Sequence, residues 1–331
     1  MPTFTMRAVV HPEPGSPDVL QVQDVPRPEP GPGQVRIRVA SSGINRADLL
    51  QRMGRYPVPP GSPDDIPGLE YAGTVEAVGP QVFGVTAGDR VMGIVGGGAY
   101  AECVLAHERE VIPVPEGLHL VAAGAIPEAY LTAFDALVVQ AGLQAGERLL
   151  IHAVGSGVGT AALQLAAWAG ARTLGTSRTP EKLEQARDMG LGRAIAGGEA
   201  DWATEVLEAT DGHGADVILD LVGGPYLAGN LRAVAPRGRI ITVGVTGGRE
   251  AVLDLRALMG KRASITGTVL RARPLEEKAT LAQRFRSVAL GAIADGRLAP
   301  VVDRTFPPEE AAEAHRRMEA NLNFGKLLLV W

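Results

Sequence analysis

Up to about residue 125 the apolar positions come in short runs broken by turn residues; beyond it, continuous apolar runs alternate with stretches of helical period. In the first segment, residues 7–10, 35–40, 71–78, 90–93 and 100–105 are β-prone, with Pro- and Gly-rich punctuation at 26–33 and 96–98. Short strands separated by such turns predict a partly open β-barrel, and PRPEPGPG reads as an ordered turn within it rather than a linker. From 125 to about 266 six apolar runs (148–153, 171–176, 193–196, 215–220, 239–244 and 263–267) alternate with helices, the rhythm of a doubly wound parallel sheet. The remainder predicts amphipathic helices over 275–295 and 308–320 and a strand over 326–331 that rejoins the first segment. The fold is read as α/β: a barrel domain of residues 1–124 and 267–331 with a nucleotide-binding domain, 125–266, inserted into it.

The stretch RLLIHAVGSGVGTAALQLA (148–166) carries the most chemistry. Leu149, Leu150 and Ile151 form a run suited to a strand covered on both faces, and Gly155, Ser156, Gly157, Val158 and Gly159 follow as a tight turn opening a helix over 158–169. A side chain at Gly157 or Gly159 would obstruct the approach of phosphate to backbone or of helix to strand, and the N–H groups at the head of the helix favour an anion. G-S-G-V-G alone fits a plain turn as well, because it is shorter than G-x-G-x-x-G; its place between strand and helix points to a dinucleotide pyrophosphate. The next strand ends in Thr176-Ser177-Arg178, with Lys182 one turn into the following helix and no acid at 175–179. An NAD site places a carboxylate there, whereas hydroxyl and cation suit a 2′-phosphate, so NADP(H) is expected. Solvated surface charge is the competing reading of Arg178 and Lys182.

Length and charge narrow the class. The chain has 331 residues and a formal net charge of −5, so neither a basic footprint for nucleic acid nor one for an anionic membrane is present. No apolar run approaches the length of a spanning helix, and the first residues lack the layout of a secretion signal. A cytoplasmic protein is expected, since the single cysteine, Cys103, cannot form an internal disulfide. Cys103 lies in a strand pattern and reads as a buried inert thiol. The six histidines show no ligand spacing, and His152 reads as a core or turn residue.

A barrel, an inserted dinucleotide domain and the motif H-A-x-x-S-G-V-G-T-A-A-x-Q-L-A resemble the medium-chain dehydrogenase/reductase superfamily over the whole chain. NRADLLQRMGRYPVPPG (45–61), GLEYAG (68–73), IPEAYLTAFDAL (126–137), LDLVGG (219–224) and MEANLNFGKLLL (318–329) resemble its zinc-lacking quinone oxidoreductases, nearest the tumour-suppressor-induced branch of animals. The resemblance implies a GroES-like barrel with a Rossmann-type insert, and NADPH-dependent hydride transfer to a quinone held in the interdomain cleft. It also implies no metal: Asn45 stands where zinc members carry their first Cys, Gly68-Leu69-Glu70 replaces Gly-His-Glu, and the four-cysteine lobe is missing. Without a Lewis acid the natural acceptor is already electron-poor, a quinone or a conjugated enone.

By the same resemblance Asn45 and Tyr56 lie beside nicotinamide and substrate, where amide and phenol could bond an acceptor oxygen as it gains charge. Asn45 could instead, or also, cap a helix beginning near Arg46. Thr132, Gly244, Thr246, Thr268, Leu270, Arg271, Asn323 and Lys326 correspond to cofactor contacts, with surface solvation the alternative for Lys326. Glu70 is expected to be structural, because a carboxylate beside the acceptor would oppose its developing charge. Gly197 replaces the family's usual aromatic after the third strand, leaving more of the 2′-phosphate to Arg178 and Lys182. Two other readings stay open: an alkenal or enone reductase drawing a proton from Tyr56 or solvent, and an NADPH-binding structural or RNA-binding protein with little turnover. The family's habit is a homodimer or tetramer joined through sheet edges, here 239–245 and 263–270.

Overall fold

In the computed structural model, which describes residues 4–198 and 200–331, one unit comprises the chain up to Leu131 with Leu270–Trp331 and a second comprises Thr132–Val269. These divisions compare with 124/125 and 266/267 read from the change of rhythm; the first falls inside the Pro127–Phe134 helix, where no turn residue marks it.

The first unit is organised by one long strand, Gln34–Ile44. Gln34 to Arg38 bond Cys103–His107, Ser41 to Ile44 bond Lys326–Val330, and Glu70–Val78 takes the opposite edge. A strand that changes partner half-way, with register shifts at Arg36/Ile37 and Val39/Ser41, bends the sheet, as a barrel requires. Arg90–Ile94 and Ile112–Pro113 extend it on one side and Val302–Phe306 on the other. Val35, Ile37, Val39, Tyr71, Val75, Val91 and Val104 face a common core. A two-stranded ribbon, Thr5–Val10 with Gln21–Pro26, joins through an Ala8–Ala101 bridge. The strand expected over 100–105 begins only at Cys103; Tyr100, fully buried, precedes it. The expected helices appear as Leu275–Ala294 and as a Pro308–Glu310 turn running into Ala311–Glu319.

The second unit is a six-stranded parallel sheet in the order Arg193–Ala196, Arg172–Ser177, Arg148–Ile151, Ala215–Asp220, Val234–Thr242, Ser264–Gly267. The strand order reverses between Arg148–Ile151 and Ala215–Asp220, which opens a crevice at their carboxyl ends. Leu149, Leu150 and Ile151 are fully buried, as a strand covered by helices on both faces must be. Ser264–Gly267 is an open edge on which Ile265 is exposed.

Candidate active site

At the carboxyl end of Arg148–Ile151 the chain turns through residues 152–156 into the Gly157–Trp168 helix. Ser156 caps it, its hydroxyl accepting the Gly159 N–H at 3.0 Å. A Cβ on Gly159 would lie 2.5 Å from the Ala153 carbonyl oxygen, so only glycine lets the helix seat against the turn. Gly155 is buried, whereas Ser156, Gly157 and Val158 keep part of their surface open at the head of the helix. The N–H groups at the head of this helix make it a place that favours an anion.

A buried polar chain behind the turn fixes it. His152 Nδ1 and Thr176 Oγ1 are 2.9 Å apart, His152 Nε2 and Asn230 Oδ1 2.7 Å, and Asn230 donates to Asp220 Oδ2 at 2.9 Å. Asp220 Oδ1 accepts the N–H groups of Val222 and Gly223, which explains the LDLVGG motif as a clamp on the turn after the fourth strand. Burial lowers the His152 pKa, and Trp202 and Tyr226 flank its ring at 4.7 Å; His152 is a core histidine, as its sequence position suggested.

At the end of the second strand Ser177 Oγ accepts the Thr179 N–H at 3.1 Å, leaving its own hydrogen to donate. Arg178 is exposed, and Lys182 is partly buried in the first turn of Pro180–Asp188. The space beside Gly197 is already filled: a Cβ there would come within 3.0 Å of the Tyr226 hydroxyl, which accepts the Gly198 N–H at 2.7 Å. An aromatic therefore does reach this corner, from a turn about thirty residues on, and no local signal in the sequence announces it. In the same unit Thr132 is buried, Thr246 donates to the Leu221 carbonyl at 3.0 Å, and Gly244 packs against that carbonyl. Thr268 donates to Asp135 Oδ2 at 2.8 Å.

The other residues singled out by the sequence lie in the first unit, around a buried carboxylate. Glu70 is fully buried; its Oε1 lies 2.6 Å from Lys326 Nζ and 2.9 Å from Asn45 Nδ2, and its Oε2 accepts the Glu128 N–H at 2.8 Å. A Cβ on Gly43 would sit 2.1 Å from Glu70 Oε1, so glycine admits the carboxylate. Surface solvation of Lys326 does not hold. It is 4% exposed, and its ammonium meets three acceptors: Ile44 carbonyl at 2.8 Å, Asn45 Oδ1 at 2.6 Å and Glu70. Asn45 occupies the N-cap of Arg46–Arg52, where Asp48 Oδ2 accepts its N–H at 2.7 Å, and its amide is drawn to Lys326, Glu70 and the Gly43 carbonyl. Glu70 thus holds the framework, consistent with the structural role expected for it. Asn323, also buried, donates to the Gly325 carbonyl at 2.8 Å and shapes the turn before Lys326.

Arg271 is 5% exposed and lies over the Tyr56 ring, 5.2 Å from its centroid. It donates to the Gly96 carbonyl at 2.7 Å and to Gln51 at 2.5 Å, while Nη1 has no partner among the described residues. Leu270, next to it, is buried. The Tyr56 hydroxyl likewise makes no hydrogen bond to a described residue, and burial, then the Glu128 charge, raises its pKa.

Sequence reasoning passed over Asp48 and Glu128. Asp48 is fully buried, accepts N–H groups from Asn45 and Gly68 and the Tyr100 hydroxyl at 3.2 Å, and is pushed up by burial to about 6. Glu128, at the start of Pro127–Phe134, is pushed up to about 8, by burial first and by Glu70 second. Tyr100 also approaches His315, which in turn lies beside the buried Arg52. No group of three or more His, Cys, Asp and Glu among the described residues is arranged to hold a metal ion.

Residues 157–286 match the family of zinc-binding dehydrogenases and residues 31–116 the alcohol dehydrogenase GroES-like domain. The chain is 35% identical over 321 residues to a quinone oxidoreductase of Pseudomonas aeruginosa, covering 96% of this chain and 97% of that one. It is also 35% identical over 318 residues to a phenolphthiocerol/phthiocerol polyketide synthase of Mycobacterium tuberculosis, of whose length it spans only 14%. Among solved structures, an NAD-dependent alcohol dehydrogenase superposes with a TM-score of 0.88 at 34% identity, covering 98% of this chain and all of that one. A mycobacterial protein complexed with NADPH does so with a TM-score of 0.88 at 30% identity, again over 98% of this chain and all of the other. With both halves of its fold and nearly its whole length accounted for, the chain belongs to the zinc-independent quinone oxidoreductase family of medium-chain dehydrogenases/reductases.

Proposed function

We propose that this oxidoreductase reduces quinones with NADPH. One observation carries the reading: while Asn45, Glu70 and Lys326 satisfy one another, the Arg271 guanidinium lies over the Tyr56 ring, and the Tyr56 hydroxyl and Arg271 Nη1 have no hydrogen-bond partner among the described residues. Bound NADPH supplies a hydride. The protein's own task is to hold an electron-poor acceptor and meet the negative charge its oxygen gains, and preorganised donors of this kind do so most effectively where water is scarce. Tyr56 and Arg271 take that oxygen, and Asn45, its amide fixed by Lys326 and Glu70, acts as a positioning residue.

The cofactor residues follow from the second unit. The N–H groups of Gly157 and Val158 and the Ser156 cap receive the pyrophosphate, with Gly155 and Gly159 allowing the turn. Ser177, Arg178 and Lys182 receive the 2′-phosphate, and the absence of a carboxylate at 175–179 favours NADPH over NADH. Gly244, Thr246 and Thr268, at the carboxyl ends of the fifth and sixth strands, and Thr132 border the nicotinamide half. Leu270, Asn323 and Lys326 support the cofactor through the loops they fix. An enone is the second acceptor class, since the same hydride can reach a conjugated carbon–carbon double bond and the same donors its carbonyl.

The working form is a homodimer. Ile265 on the open Ser264–Gly267 edge is exposed, as are Val245, Leu255, Met259 and Val269 nearby in sequence, and we propose that a second copy covers this edge. No helix of the described residues is long and apolar enough to cross a membrane. A cytoplasmic location rests on the lone buried Cys103.

The test is NADPH oxidation with benzoquinone, naphthoquinone and an alkenal in turn. Turnover with quinones supports the reading; NADPH binding without turnover assigns the chain a binding role instead.

A further inference from the structure

Reduction of a quinone to a hydroquinone consumes a hydride and a proton, and beside Tyr56 and Arg271 the first unit holds a carboxyl group able to give the proton. We propose that Glu128 is the proton donor to the acceptor's oxygen, working beside Tyr56 and Arg271. This rests on the quinone-reductase reading above.

The other carboxylates around Glu128, and Lys326, are engaged. Both Glu70 oxygens are taken, by Lys326, by Asn45 and by the Glu128 N–H. Both Asp48 oxygens are taken, by Asn45, Tyr100 and Gly68. Lys326 has spent its three N–H groups. Tyr56 is a weaker acid than an ordinary phenol, because burial and the Glu128 charge both resist its ionisation. Glu128 alone has a carboxyl group without a hydrogen bond or ion pair to any described residue, and it keeps part of its surface open. Its charge is felt by both Tyr56 and Arg271, the two groups assigned to the acceptor.

The protonation state fits the task. Burial, then Glu70, then to a lesser degree Asp48, disfavour the carboxylate; Lys326 and Arg271 oppose them and lose, leaving a pKa of about 8. The tethered Glu128 N–H fixes where the acid sits, because Glu70 Oε2 holds that backbone at 2.8 Å. In the step itself the acceptor takes the hydride as two electrons and a hydrogen nucleus and becomes the hydroquinone monoanion. The Glu128 O–H bond breaks, the new acceptor O–H bond forms, and the carboxylate left behind regains its proton from water. An acid near the working pH suits this transfer, and positioned proton donors contribute about 10²- to 10⁴-fold.

The experiment compares wild type, Glu128→Gln and Glu128→Asp as full-length protein with NADPH and naphthoquinone. Wild-type kcat is expected to fall about tenfold per pH unit above about 8. Glu128→Gln is expected to lower kcat about a hundredfold at neutral pH and abolish that alkaline limb. NADPH affinity, read by nucleotide fluorescence, should stay within about twofold, and Glu128→Asp should recover part of the rate with its pH dependence. Independently of turnover, an infrared titration of the cofactor-free protein should show a protonated-carboxyl band at neutral pH that Glu128→Gln lacks. Quinone reduction by Glu128→Gln at the wild-type rate, or absence of that band from wild type, overturns the assignment of Glu128 alone. A wild type that binds NADPH and reduces none of the acceptors overturns the quinone-reductase reading and this one with it.

Discussion

Lys326 Nζ lies 2.6 Å from Glu70 Oε1 with both side chains almost completely buried, at 5% and 0% exposure. An ion pair this deep is strongly destabilising to break from one side, since the survivor keeps its desolvation cost and loses its partner. Lys326→Met is expected to cost about 3–5 kcal/mol by denaturant melts. The double variant Lys326→Met/Glu70→Gln should recover much of that loss, which is the signature of a coupled pair.

Gly159 has a purely steric role. A Cβ 2.5 Å from the Ala153 carbonyl must push the helix off its strand. Gly159→Ala is expected to destabilise the fold by about 1–3 kcal/mol and to weaken NADPH binding, read by titration of nucleotide fluorescence.

Acid lability should trace to His315. It is enclosed, and burial, then the charges of Arg52 and His11, lower its pKa from 6.5 to about 3. Between those values the unfolded chain binds a proton that the folded chain refuses, so stability falls as pH drops from about 6.5 toward about 3. His315→Gln, which keeps a polar side chain near Tyr100 and Arg52, is expected to flatten that slope in thermal melts taken across the window.

The open Ser264–Gly267 edge supports a simple test of assembly. Wild type is expected to run at the mass of a dimer in light scattering, and Ile265→Lys with Met259→Lys at that of a monomer.

The parallel sheet was legible because each of its strands is a local pattern: Leu149 to Ile151 is apolar without a break, and the glycines after it announce a turn. The ribbon strand Gln21–Pro26 carries no such pattern, its residues being mostly exposed. The polar framework was half legible. Asn45 stood out by family resemblance, yet NLNFGK gives no sign that Lys326 is buried against the Ile44 carbonyl, 282 residues away in sequence. Glu128 looks like any acid in the first turn of a helix, a place that favours negative charge in its own right. Burial first, and then the charge of Glu70, 58 residues earlier, turn it into a carboxyl group with a raised pKa. Tyr226 beside Gly197 was hidden for the same reason.

Selection of NADPH for quinone reduction falls, on this reading, to Ser177, Arg178 and Lys182. The most direct measurement is kcat/KM for NADPH and for NADH with naphthoquinone, wild type beside Arg178→Ala. Wild type is expected to prefer NADPH, and the preference to shrink by about tenfold to a hundredfold in the variant, as the loss of a charge-assisted phosphate contact would give. Equal use of the two nucleotides by wild type, or a preference untouched by the substitution, would contradict it.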